Sequence, residues 1–119
     1  MIVVDASVLL AFLNPGDLHH SAAVNALAEA LPPLLIHPVT AAEVLVGAVR
    51  RGVEDAVWGD LVAIGVELDR TPDDPMALAR LRVETGCKMP DCCVLLVSVR
   101  RNAPIATFDE RLRAKAAKP

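Results

Sequence analysis

The sequence predicts an α/β protein in which helices cover both faces of a central parallel sheet, a three-layer sandwich. Short apolar runs alternate with stretches whose apolar residues recur at helical spacing, which is the pattern of βαβ units. Proline and glycine stand between these stretches, where they end helices and open turns. The chain has 119 residues, 54% of them hydrophobic, which is enough for a packed core. We therefore expect residues 1–119 to form a single domain with a sheet of four or five strands.

The predicted strands are four short apolar runs. They lie at residues 2–4, 34–36, 66–68 and 105–107, and the third is the weakest. Since strands joined through helices pair in parallel with right-handed crossovers, their carboxyl ends should meet at one edge of the sheet. Ligands of open parallel sheets bind at that edge, so the residues that follow the strands are the first to consider for function.

Proline, glycine and capping residues delimit the predicted helices. A short helix follows Asp5, and Asp17 is expected to cap a second helix that two prolines end. Thr40 is expected to open a third helix that runs to Gly52. The remaining helices are expected at residues 53–64, 74–86, 90–101 and from 109 onward.

Charge is unevenly distributed along the chain. The net charge is −3, but residues 1–79 hold 3 Lys/Arg against 11 Asp/Glu, whereas residues 80–119 hold 9 against 4. An acidic total argues against polyanion binding by the whole surface, while the basic last third can form a local patch or simply solvated helix faces. Only Phe12, Trp58 and Phe108 are aromatic, which argues against an aromatic platform for single-stranded nucleic acid.

Cysteine content and hydropathy indicate the compartment. Cys87, Cys92 and Cys93 are odd in number and lack the spacing of a metal site, so we expect them to act as small apolar residues in a reducing environment. The sequence contains no signal-peptide pattern and no apolar run near the roughly 20 residues that span a bilayer. A cytoplasmic protein without a membrane partner is the expectation.

Four acidic residues stand where strands end or helices begin: Asp5, Glu43, Asp91 and Asp109. Each has a structural explanation. Asp5 and Asp109 can cap helices, and Glu43 can complete a capping box with Thr40. Asp91 can face the dipole at a helix N-terminus. Helix capping by itself, however, does not explain why four acids would lie at one edge of a sheet.

A shared metal site is the alternative explanation of the four acids. Carboxylates that converge without a counter-ion repel one another, which raises at least one pKa and lowers stability. Mg²⁺ or Mn²⁺ would resolve that repulsion, because both prefer oxygen ligands. We therefore expect Mn²⁺ to raise the melting temperature, and the substitution Asp5→Asn to raise it in the metal-free protein. The sequence shows no glycine-rich phosphate-binding loop and no nucleophilic triad that would indicate a different catalytic site. The isolated histidines are weak candidates for catalysis: His19, His20 and His37.

Four short motifs resemble those of PIN-domain ribonucleases, in the same order along the chain. They are Val4-Asp5-Ala6-Ser7-Val8-Leu9-Leu10, Thr40-Ala41-Ala42-Glu43-Val44, Pro90-Asp91 and Thr107-Phe108-Asp109. No single motif is specific, but together they cover nearly the whole chain. The small size is similar to that of the VapC-type toxins of bacterial toxin–antitoxin pairs.

The resemblance implies a parallel sheet of order 3-2-1-4, often with a fifth strand, and Mg²⁺- or Mn²⁺-dependent endonucleolytic cleavage of RNA. It implies that Asp5 and Asp91 are the principal metal-binding acids, that Glu43 and Asp109 complete the set, and that the hydroxyls of Ser7 and Thr107 support it. A cognate antitoxin and a homodimer are the implied protein partners. The chain departs from the family in two places: residues 111–119 contain no apolar run for a fifth strand, and Cys92-Cys93 replaces small alanine-type residues.

Phosphate contacts need cations that an acidic pocket lacks. The candidates are Arg80, Arg82, Arg100, Arg101, Arg111 and Arg113. The main hypothesis is thus a toxin ribonuclease. The alternatives are a housekeeping PIN nuclease in RNA processing and a non-catalytic interaction module that keeps the fold. A phospho-accepting signalling domain is disfavoured, because it requires paired acids after the first strand, where Asp5 stands alone.

Overall fold

A sheet of four parallel strands lies at the centre of the computed structural model, which describes residues 1–116. The strands are β1 (Ile2–Val4), β2 (Leu34–Ile36), β3 (Val66–Leu68) and β4 (Ile105–Ala106). They are ordered β3-β2-β1-β4, as the family resemblance implies. In register, Val3 of β1 lies opposite Leu35 on one side and Ile105 on the other. The residue that follows β1, Asp5, therefore stands at the middle of the sheet's carboxyl edge.

Seven helices are described within residues 1–116. They are α1 (Ala6–Leu13), α2 (His20–Glu29), α3 (Pro38–Arg50), α4 (Glu54–Ala63), α5 (Pro75–Thr85), α6 (Met89–Arg101) and α7 (Glu110–Ala116). Helices α1 to α4 pack with Val4 on one face of the sheet, and α5 to α7 pack with Val3 on the other. Neighbouring strand residues point to opposite faces, so two aliphatic cores form. The predicted fold class, an α/β protein with helices on both faces of a parallel sheet, is confirmed.

The prediction for α5 is confirmed at both ends by local chemistry. The side chain of Asp74 accepts a hydrogen bond from Met76 N, and Pro75 occupies the first turn, where its missing N–H is not needed. At the other end, Gly86 adopts a left-handed conformation with φ of 70°, which favours glycine.

Two predicted helix starts were wrong. Helix α2 begins at His20 rather than at a cap by Asp17, whose carboxylate instead accepts from His19 N in the preceding turn, at 2.8 Å. Helix α3 begins at Pro38, because the imidazole Nδ1 of His37 accepts from Val39 N at 2.9 Å and so caps the helix. Thr40 consequently lies inside the first turn, and its buried hydroxyl has no partner among residues 1–116. The predicted capping box with Glu43 therefore does not form.

A buried ion cluster holds the segment after β3 against α6. Asp69 is fully buried and accepts from Arg100 Nε at 3.1 Å, from Arg101 Nη2 at 3.1 Å and from Thr71 N at 3.0 Å. Burial by itself would raise the pKa of Asp69, but the hydrogen bonds from Arg101, Thr71 and Arg100 outweigh it and hold that pKa well below its usual range. The cluster fixes the crossover between β3 and α5.

The structure also bears on the expectations for a fifth strand, for the three cysteines and for a membrane span. Within residues 1–116 the sheet has no fifth strand; residues 111–116 belong to α7, and the end of the chain, 117–119, lies outside the described residues. Cys87, Cys92 and Cys93 are free and buried, as packing residues would be. No helix within the described part is long and apolar enough to cross a bilayer.

Candidate active site

Asp5 is held at the carboxyl end of β1 by three hydrogen bonds. Its Oδ1 accepts from Val8 N at 3.2 Å, which caps α1, and from the hydroxyl of Ser7 at 2.7 Å. Its Oδ2 accepts from the hydroxyl of Thr107. Only 5% of the residue is exposed. Asp5 can therefore cap α1 and also take part in a functional site, since Oδ1 caps the helix while both carboxylate oxygens are held in place at the sheet edge.

The segment that follows β4 orients those two hydroxyls. Phe108 N donates to Ser7 Oγ at 3.1 Å, and Asp109 N donates to Thr107 Oγ1 at 3.0 Å. Because each hydroxyl oxygen accepts from a backbone N–H, its own proton is directed to Asp5. The ends of β1 and β4, far apart in sequence, are therefore joined by one hydrogen-bonded unit.

Glu43 reaches the same region from α3. The residue is exposed, and its carboxylate makes no hydrogen bond within residues 1–116. Partial burial raises the pKa of Glu43, and the negative charges of Asp91 and Asp5 raise it further. The charges of Asp91 and Asp5 therefore disfavour the ionised form of Glu43.

Asp91 approaches from α6. It occupies the first turn of that helix and is half-buried. Burial raises the pKa of Asp91, as do the charges of Asp109 and Asp5, while Lys88 and Arg111 oppose the rise. Lys88 was not among the predicted cations, although its place at the N-cap of α6, three residues before Asp91, was a usable signal.

Asp109 combines a cap with its place in the acidic group. Its Oδ1 accepts from Leu112 N at 3.1 Å and so caps α7, while its charge acts on Asp91. The four predicted acids thus form one electrostatically coupled group, here called the acidic edge: Asp5, Glu43, Asp91 and Asp109. Within residues 1–116, however, no three His, Cys, Asp or Glu side chains form a ready-made set of ligands for one metal ion.

The acidic edge nevertheless fits a hard divalent cation by its donor chemistry. It offers only carboxylate oxygens. Burial is the main cause of the raised pKa of Glu43 and Asp91, and the repulsion between acids, which adds to it, is what a cation would relieve. Mg²⁺ keeps several waters and binds through one or two carboxylates, so a preformed cage of three ligands is not required.

Most of the predicted phosphate-binding arginines are already bonded inside the chain. Arg100 and Arg101 hold Asp69, and Arg82 donates to Gly86 O and Cys87 O, both at 2.8 Å. Arg111 donates to Gly86 O at 2.9 Å, and Arg113 to Glu110 Oε1 at 2.7 Å and to Thr107 O. Arg80 is exposed on α5. Of the six, Arg111 has a charge that lowers the pKa of Asp91, and Lys88, which was not among the six, has the same effect.

All three histidines have contacts that were not predicted, including His20, whose Nδ1 donates to Ala11 O at 2.9 Å. His37 is buried, caps α3, and donates from Nε2 to Asp73 at 2.8 Å, because its Nδ1 already accepts from Val39 N. Its position before Pro38 was the available signal of a cap. The imidazole of His19 stacks on Phe108, with 5.0 Å between ring centroids. No spacing in the sequence indicates the contact between His19 and Phe108.

Comparison with known proteins identifies a family and several solved structures of similar fold, two of which are described below. The model of the PIN domain family matches residues 2–118. No curated protein matches the sequence. The structure resembles VapC20 of Mycobacterium tuberculosis, described as a sarcin-ricin loop cleaving toxin, with a TM-score of 0.76 and 17% identity over 100% of both chains. It also resembles PAE2754 from Pyrobaculum aerophilum, with a TM-score of 0.61 and 23% identity over 98% of this chain and 86% of that one. At these identities the likeness is one of fold.

Proposed function

Because this chain belongs to the PIN domain family, we propose that it is a metal-dependent endoribonuclease that acts as the toxin of a toxin–antitoxin pair. The observation that carries the proposal is the acidic edge. Asp5 is fixed there by the hydroxyls of Ser7 and Thr107, while the pKa values of Glu43 and Asp91 are raised by burial and by the charge of neighbouring acids. Such a group is unfavourable by itself and favourable around a cation.

The cation in this proposal is Mg²⁺ or Mn²⁺. PIN nucleases generally use divalent metal ions, and an all-carboxylate donor set suits these two. Asp5 and Asp91 would hold the ion, with Glu43 and Asp109 completing the site. When bound, the ion would supply positive charge that activates water and offsets the charge of the phosphodiester.

The remaining steps belong to the chain's own side chains. Ser7 and Thr107 keep Asp5 in one orientation, so no reorganisation is needed when substrate binds. Glu43, which has no hydrogen bond within residues 1–116, is free to accept a hydrogen bond from the attacking water and to position it. Lys88 and Arg111 lie beside Asp91 and would contact the phosphates that flank the cleaved bond.

The biological context is proposed by analogy with VapC20, whose description names a toxin that cleaves the sarcin-ricin loop. For this chain we propose an RNA substrate, a cognate antitoxin, a homodimer and a cytoplasmic location. We also propose that residues 1–119 form one PIN-like domain. A housekeeping PIN nuclease would use the same acidic edge, but its expression would not arrest growth.

The test is RNA cleavage by purified protein with and without Mg²⁺ or Mn²⁺. Asp5→Ala and Asp91→Asn should abolish cleavage, whereas Asp60→Asn, an exposed acid on α4, should leave it unchanged. Cleavage at the wild-type rate by both site variants would refute the assignment. Expression in cells, with and without the product of a small adjacent reading frame, separates the two biological roles: arrest that this product relieves indicates a toxin.

A further inference from the structure

An aromatic pair stands beside the acidic edge. The rings of His19 and Phe108 stack with 5.0 Å between centroids and 26° between planes. Phe108 is half-buried and packs against the core formed by α1 to α4. His19 is exposed. The outer face of a core aromatic ring is thus covered by a second ring that itself lies at the surface.

Two hydrogen bonds connect this pair to Asp5. Phe108 N donates to Ser7 Oγ at 3.1 Å, and Ser7 Oγ donates to Asp5 Oδ1 at 2.7 Å. Phe108 also lies in the chain between Thr107, which donates to Asp5, and Asp109. A polynucleotide with a phosphate at the acidic edge would therefore place a neighbouring nucleotide within reach of the pair.

The backbone of His19 is held before any ligand arrives. Its N–H donates to Asp17 Oδ1 at 2.8 Å, and its carbonyl accepts from Ala23 N at 2.9 Å. The imidazole itself is held by its stack on Phe108. A ring held in this way loses little conformational entropy when a flat group stacks on it.

We propose that His19 and Phe108 form a nucleobase subsite, in which a base next to the cleaved phosphodiester stacks on the imidazole of His19. The proposal rests on the proposed RNA cleavage. Stacking on a ring tolerates every base, because each base has a π face. The scarcity of aromatic residues does not argue against it, since the stack needs only Phe108 and a histidine that a count of Phe, Trp and Tyr omits.

The experiment uses the full chain and a short fluorogenic RNA with one mapped cleavage site. Two further RNAs are abasic on the 5′ or the 3′ side of that site. The enzymes are wild type, His19→Ala, His19→Phe and, as a matched control, Ser21→Ala, which changes an exposed residue on the first turn of α2. Circular dichroism verifies that each variant is folded.

Wild type should cleave one of the two abasic RNAs with a kcat/KM about 5- to 100-fold lower than that for the intact RNA, which is the loss expected when a single base–aromatic stack is removed. The kcat/KM of His19→Ala on intact RNA should be lower than that of wild type by a similar factor, mainly through a higher KM. For this variant, removal of the base should cause no further loss. His19→Phe and Ser21→Ala should behave as wild type.

An equal abasic penalty in wild type and His19→Ala would overturn the subsite, as would cleavage of intact RNA by His19→Ala at the wild-type rate. Those results would leave the nuclease assignment standing. Absence of metal-dependent cleavage by wild type, in contrast, would refute the proposed function and the subsite together.

Discussion

The hydroxyl of Thr107 donates a hydrogen bond to Oδ2 of Asp5, joining two residues that lie 102 positions apart in the chain. Thr107 follows β4, and Asp5 follows β1, the strand beside it. Together with Ser7 on the other carboxylate oxygen, this contact makes the orientation of Asp5 a property of the sheet edge rather than of one loop.

Removal of the two hydroxyls should weaken the site without unfolding the protein. Ser7→Ala and Thr107→Val each delete one donor to Asp5, and we expect a loss of about 10- to 100-fold in metal affinity or in kcat/KM, typical of residues that orient metal ligands. Calorimetric titration with Mn²⁺ and steady-state cleavage measure the two quantities. Ser21→Ala is the control for loss of a hydroxyl. Wild-type affinity and activity in both variants would contradict the orienting role.

Neutralisation of Glu43 should stabilise the metal-free protein. The pKa of Glu43 is raised by partial desolvation of its carboxylate and by repulsion from Asp91 and Asp5, so Glu43→Gln removes an unfavourable charge. Because Glu43 is exposed, we expect only a few tenths of a kcal/mol, or a rise of about 1 to 3 °C in Tm. Scanning calorimetry with EDTA measures it, and Mn²⁺ should raise the Tm of wild type more than that of the variant. A lower Tm for Glu43→Gln would show that the carboxylate is stabilising.

Asp5→Asn should lower the melting temperature, which reverses the expectation from the sequence. Both carboxylate oxygens accept hydrogen bonds, from Ser7 and Val8 on one side and from Thr107 on the other. An amide would place N–H against one of these donors, and an unmade buried hydrogen bond costs about 1 to 3 kcal/mol. Scanning calorimetry with EDTA measures the Tm of Asp5→Asn against wild type, and Asp60→Asn is the control. A higher Tm for Asp5→Asn would mean that relief of repulsion between the acids outweighs the lost hydrogen bonds.

Asp69→Asn should destabilise the protein in a pH-dependent way. The variant leaves Arg100 and Arg101 without their buried counter-charge, and we expect a loss of about 3 kcal/mol near pH 7. Because the folded pKa of Asp69 lies below its ordinary value of 3.8, its contribution is complete above that value and is lost as the pH falls. Urea unfolding between pH 7 and pH 2.5 should therefore show the difference between wild type and variant narrowing below about pH 3.8. A constant difference across that range would argue against the lowered pKa.

The substitution Lys88→Ala should weaken RNA binding and should also make that binding less dependent on salt concentration. Lys88 lies beside Asp91 at the start of α6. If it contacts one phosphate, the slope of log Kd against log salt should fall by about 0.7. The control is Arg50→Ala, an exposed cation in the last turn of α3. Binding of uncleaved RNA to an Asp91→Asn background, measured by fluorescence anisotropy from 50 to about 300 mM salt, gives the slope, and identical slopes for both variants would exclude the contact.

Local sequence signals determined the elements and the places of the four acids. The boundaries of α5 follow from Asp74, Pro75 and Gly86, because caps and left-handed glycines act within one turn through the chain's own backbone. Asp5 could be placed at the sheet edge for the same reason: it directly follows an apolar strand, and parallel strands end together. The four acids could be proposed as a group only through their order along the chain and their resemblance to a family.

Tertiary structure decided which of several local options was used. His37 rather than Thr40 caps α3, because its imidazole is also held by Asp73, 36 residues away. Asp69 binds Arg100 and Arg101, and His19 meets Phe108, only because the intervening helices pack where they do. Such contacts depend on the relative positions of distant elements, which no periodicity or spacing encodes. The sequence by itself therefore determined the architecture and the acids, whereas packing decided how Asp5 is held, which cations remain available and what stands beside the site.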